Sequence, residues 1–105
     1  MSMAKDVSSA EFATEVLESP TPVIVDFGAP WCGPCRMVGP ELDKLAEQSG
    51  GKAKFVKLNV DENQDVAVQY GVMSIPTIIK FEGGQPVKTV VGARGAAAMA
   101  AEFGL

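Results

Sequence analysis

Apolar positions along the chain follow two periods. Val23-Ile24-Val25-Asp26-Phe27 and Phe55 to Val60 are short and rich in β-branched residues, so they read as strands. In the second, Val56, Leu58 and Val60 fall on one face while Lys57 and Asn59 fall on the other. Thr77-Ile78-Ile79-Lys80-Phe81 and Val87 to Val91 form two more strands. Glu82-Gly83-Gly84-Gln85-Pro86 joins them as a hairpin whose proline suits a sheet edge. Elsewhere the period lengthens to that of a helix. Ser8 and Glu11 have capping-box spacing, Phe12, Ala13, Val16 and Leu17 follow, and Ser19-Pro20-Thr21-Pro22 stops the segment. Val38, Leu42, Leu45 and Ala46 make one stripe that Gly50-Gly51 ends. Pro40 inside it predicts a kink, because its ring removes an N–H and crowds the Arg36 carbonyl. Asp61 and Gln64 are placed to cap a short helix that buries Val66, Ala67 and Tyr70 and stops at Gly71. Ala96 to Phe103 closes the chain as a short, alanine-rich helix with no Ser, Thr, Asp or Asn cap. This order predicts an α/β domain over residues 1–105, a single mixed sheet of four to five strands flanked by four helices. No repeat or linker interrupts it.

Composition narrows the function. For 105 residues and 11.0 kDa, surface scaling gives roughly 5,600 Å² folded against about 16,000 Å² unfolded. Such a core needs no disulfide to hold it. The net charge is −4 with no basic run, which argues against nucleic acid and anionic membrane as partners. Met1-Ser2-Met3-Ala4-Lys5-Asp6 lacks the apolar core of a signal peptide, and no run approaches transmembrane length. A reducing cytoplasm is therefore the expected compartment. There a lone C-x-x-C is more often catalytic than structural.

The candidate chemistry lies in Ala29-Pro30-Trp31-Cys32-Gly33-Pro34-Cys35-Arg36, which holds both cysteines and the only tryptophan. It leaves a strand and opens a helix. Cysteines at i and i+3 share a helix face, so their sulfurs can pair. The helix N-terminus offers unpaired N–H groups and partial positive charge to a thiolate, the form that attacks disulfides. A structural crosslink across so short a loop would remove little chain entropy. Zinc would lack two of its usual four ligands, since the chain has no histidine. Asp26 is the other conspicuous residue. A carboxylate inside an apolar strand must be neutral, paired or useful, and burial would raise its pKa toward that of a general base.

Trp31-Cys32-Gly33-Pro34-Cys35, preceded by Val25-Asp26-Phe27 and followed by Asn59-Val60-Asp61, Ser74-Ile75-Pro76-Thr77 and Val91-Gly92-Ala93, resembles the thioredoxin family over nearly the whole chain. The resemblance implies the thioredoxin fold and a monomeric protein-disulfide reductase. It implies a protein with no bound cofactor and no metal, recharged by thioredoxin reductase. Cys32, at the exposed edge of the turn, would be the nucleophile and Cys35 the resolving thiol. Asp26 would lie behind Cys35 and move its proton through water. Lys57 would stand near Asp26, although strand alternation alone also explains a lysine there. Pro76 would be cis, beside the thiols, where it keeps metal ions off the sulfurs. The Ile75 backbone would pair with substrate as an added strand. Trp31, Gly33, Pro34, Ile75, Val91, Gly92 and Ala93 would form an apolar rim for disulfide-containing protein substrates.

Two positions depart from the family pattern. Gly28 stands where most members have a large aromatic that hydrogen-bonds Asp61, so a gap is expected and Asp61 lacks that ring as a partner. Gly39 replaces a larger residue and should loosen the helix around Pro40. A thioredoxin-fold oxidant or isomerase, a redox-independent binding subunit and an iron–sulfur scaffold are the rival readings.

Overall fold

The computed structural model describes residues 4–105. The sequence expectation for the N-terminal segment falls partly on residues 1–3, which lie outside the described ones. The elements are β1 (Lys5–Asp6), α1 (Ser9–Phe12, continued by a π-helical turn, Ala13–Leu17), β2 (Val23–Gly28), α2 (Gly33–Ser49), β3 (Lys54–Asn59), α3 (Gln64–Gln69), β4 (Thr77–Glu82), β5 (Gln85–Val91) and α4 (Ala96–Phe103). One sheet carries the strands in the order β1-β3-β2-β4-β5. Both pairings of β3 are parallel, whereas β4 runs antiparallel to β2 and β5. The surface area is 5575 Å², close to the value expected from mass. Among the described residues no helix is long and apolar enough to cross a membrane.

Alternation along β2 divides the core between the two faces of the sheet. Val23, Val25 and Phe27 pack with Phe12, Val16 and Phe81 on the α1 and α3 side. Ile24 packs with Val38, Leu42, Leu45, Met99 and Phe103 on the α2 and α4 side. Asp26 shares the second face with Ile24. It therefore points toward α2, the helix that begins at the cysteines. In β3, Lys57 takes the same face and sits directly beside Asp26 in the parallel register.

Helix α2 includes Pro40 within its span and ends, as expected, on Gly50 in the left-handed conformation. Other local expectations change. The hairpin between β4 and β5 is tighter than the sequence suggests. Only Gly83 and Gly84 form the turn, with φ of 58° and 79°, the positive values that a mirror-image two-residue turn requires. Asn63, not Asp61, occupies the N-cap position of α3. Its side-chain oxygen accepts the Ser9 N–H (2.8 Å) and its amide donates to the Asn59 carbonyl (2.9 Å), so it ties α1 to the end of β3. The missing cap of α4 comes from another helix, since Glu41 Oε1 accepts the Ala96 N–H at 3.0 Å. Strand β1, only two residues long, has no signature in the sequence pattern.

Candidate active site

Cys32 and Cys35 are joined as a disulfide at the start of α2, with Cα atoms 5.2 Å apart. Cys32 is the N-cap residue of the helix, and its sulfur accepts the Cys35 N–H at 3.2 Å. Pro34 sits in the first turn, where its missing N–H costs no bond. Across from the sulfurs the Ile75–Pro76 peptide bond is cis, as the resemblance implied. The Ile75 carbonyl oxygen lies 3.9 Å from Cys32 Sγ.

Exposure of the two cysteines differs from expectation. Cys32 keeps only 4% of its surface, whereas Cys35 is half-buried. Position 28 bears on the second of these. A cleft of about 330 Å³ opens beside Gly28 and is lined on its inner side by Cys35, Asp26 and Lys57. Gly39 and Leu42 of α2 form another wall. A Cβ at Gly28 would lie 3.2 Å from Cys35 Sγ and 3.7 Å from Asp26 Oδ1. The gap expected from the missing aromatic is therefore present, and Gly39 widens it.

Asp26 Oδ1 is fully shielded yet has no hydrogen-bond partner among the described residues. Burial raises the Asp26 pKa to about 6, and the Lys57 charge offsets part of that rise. Lys57 itself is part-exposed and reaches Asp6 at 3.9 Å.

The rim residues gather around the disulfide. Trp31 is 67% exposed and Val91 50%. The Gly92 N–H donates to the Pro76 carbonyl at 2.8 Å, which locks the end of β5 to the cis-proline loop. Asp61, which has no aromatic at position 28 to bond, engages Trp31 instead: its Oδ2 accepts the Trp31 indole N–H at 2.6 Å. That bond fixes the indole over the turn without any help from position 28. Sequence reasoning missed Met73, 95% exposed two residues before Ile75, and Arg36, whose Nε donates to the Pro30 carbonyl at 3.0 Å. Met73 lies in the loop between α3 and β4 and Arg36 in the first turn of α2, and neither falls on an apolar stripe.

A strand that delivers a vicinal cysteine pair to a helix N-terminus, opposite a cis-proline loop and in front of a buried carboxylate, defines a thiol–disulfide oxidoreductase. Comparison with known proteins agrees. The family model described as Thioredoxin matches residues 3–103. Over 93 residues the chain is 59% identical to Thioredoxin 1 of Nostoc sp., spanning 89% of this chain and 87% of that protein. It is 58% identical over 93 residues to Thioredoxin of Synechocystis sp., with the same two coverages of 89% and 87%. It is 50% identical over 94 residues, 90% of this chain, to 20% of the Bifunctional thioredoxin reductase/thioredoxin of Mycobacterium leprae. The chain belongs to the thioredoxin family. Its activity is that of a dithiol disulfide reductase.

Proposed function

We propose that this chain is a cytoplasmic, monomeric carrier of electrons to protein disulfides, recharged by thioredoxin reductase. The observation that carries the reading is the placement of the Cys32–Cys35 pair between the N-terminus of α2 and the Ile75–Pro76 loop. In the reduced chain the Cys35 N–H and the helix terminus favour a Cys32 thiolate. A substrate segment pairing with the Ile75 backbone would lie beside that sulfur, on the rim of Trp31, Gly33, Pro34, Pro76, Val91, Gly92 and Ala93. The glycines leave room for foreign backbone.

The Cys32 thiolate attacks one substrate sulfur and the other leaves as thiolate, giving a mixed disulfide. Cys35, losing its proton, then attacks Cys32 Sγ and releases the second substrate thiolate. Asp26 is the base for that proton, because it sits behind Cys35 with one oxygen unengaged and a raised pKa. Lys57, beside it in the register, keeps that pKa from rising further. No bound cofactor enters these steps. Recharging by a flavin reductase finds support in the Mycobacterium leprae relative, whose name joins both activities in one chain. The absence of a basic run disfavours nucleic-acid or membrane partners.

The test follows NADPH consumption with purified thioredoxin reductase, this protein and a disulfide-bonded protein substrate. Turnover should vanish in Cys32→Ser, while Cys35→Ser should accumulate a mixed disulfide with the substrate. Full turnover by Cys32→Ser would refute the assignment.

A further inference from the structure

The cleft beside Gly28 is lined by Cys35, Asp26 and Lys57, yet no step above brings a molecule into it, and it reaches the sulfur that those steps keep for the second stage. A single point in space, the site a Cβ on Gly28 would occupy, lies 3.2 Å from Cys35 Sγ and 3.7 Å from Asp26 Oδ1. Cys35 keeps exposed surface while Cys32 keeps 4%. Ala29, Pro30, Leu42 and Leu58 supply apolar walls. Two cations, Arg36 and Lys57, and two carboxyls, Asp6 and Asp26, balance one another around the cleft, so its shape and walls decide what enters. About 330 Å³ is at the small end of the range for ligand pockets and suits a small molecule.

We propose that this cleft admits slim aliphatic thiols, which reduce the Cys32–Cys35 disulfide by attacking Cys35 without any protein partner. The proposal rests on that pair being a redox couple. The incoming thiolate sulfur bonds to Cys35 Sγ, the Cys32–Cys35 bond breaks, and its electron pair leaves on Cys32 as thiolate. Cys32 is the better leaving group because it already accepts the Cys35 N–H at 3.2 Å. A second thiolate then attacks the sulfur of the bound thiol, releasing a small disulfide and the Cys35 thiolate, which takes a proton from solvent. Two small thiols are oxidised to one disulfide and two cysteines are reduced.

Two measurements test this. The first uses Cys32→Ser, whose one thiol is Cys35, and compares reaction rates with slim methyl methanethiosulfonate and bulky 5,5′-dithiobis(2-nitrobenzoate), each relative to the urea-unfolded chain. Both reagents meet the same thiolate fraction, so thiol ionisation cancels in the ratio. Folding should slow the bulky reagent at least about tenfold more than the slim one, and adding Gly28→Leu should erase that difference by slowing the slim reagent about tenfold. Gly28→Ala, which adds only the methyl near the sulfur, should fall between. If a leucine variant fails to fold, it reacts at unfolded rates with both reagents and the alanine variant decides.

The second follows reduction of the oxidised chain by 2-mercaptoethanol through Trp31 fluorescence. Gly28→Ala and Gly28→Leu should slow it in the same order. Equal protection against both reagents, or reduction indifferent to position 28, would overturn the proposal. Neither readout requires a reductase, so loss of NADPH-driven turnover would count against the carrier reading and leave this one standing.

Discussion

Replacing Asp26 by asparagine isolates the energetic consequence of a buried carboxyl. The residue faces α2 from the middle of β2, with one oxygen unpartnered, and burial lifts its pKa from 3.8 to about 6. Between those values the native chain binds a proton that the unfolded chain has released. Stability must therefore fall with rising pH over that window. Relative to Asp26→Asn, which has the same shape and no charge, the wild type should match near pH 4 and lose ground as pH rises. Above pH 6 the full deficit is about 3 kcal/mol, from a shift of roughly two units at about 1.4 kcal/mol each. Urea unfolding of both oxidised proteins at intervals from pH 4 to 8 measures this. Groups other than Asp26 titrate in both chains and cancel in the difference. Lys57→Met should enlarge the deficit, because the Lys57 charge lowers the Asp26 pKa. A difference that stays flat with pH, or a wild type that gains on the variant as pH rises, would refute the assignment of a buried, desolvated carboxyl.

Other consequences are more local. Phe81, 1% exposed, meets the rings of Phe12 and Tyr70 at 5.5 and 5.0 Å, and Phe81→Ala should cost about 3–5 kcal/mol of stability by urea unfolding. Gly92 holds φ of 90° where it donates to Pro76. Gly92→Ala should therefore cost about 1–2 kcal/mol, and in the coupled assay it should raise KM for a protein disulfide more than it lowers kcat. Glu41→Ala removes the cap of α4, so amide exchange at Ala96 should quicken while exchange in the central strands stays unchanged.

The four long strands and the helices were legible because their apolar residues recur at distinct periods over six or more positions. Strand β1 was not, since two exposed residues hold no period. The cap of α3 was misplaced because Asp61 and Asn63 are both capping types, and only tertiary bonds to Ser9 and Asn59 tell them apart. The cysteine pair, Asp26 and the cis proline were readable from motif and resemblance. What the sequence hid was space. Whether Cys35 shows surface depends on what fills the volume beside Gly28, and that volume is bounded by residues of β1, β2, α2 and β3. Likewise, the partner of Asp61 depends on where the Trp31 ring swings.

The sulfur of Cys32 is also the cap of α2, accepting the Cys35 N–H in the disulfide form. A thiolate at the same place would keep that bond and strengthen it. The helix start then has nothing to rebuild when two electrons arrive or depart. On the proposed reading, a protein docking there would tell a loaded carrier from a spent one by a change of charge at Cys32 rather than by a change of shape.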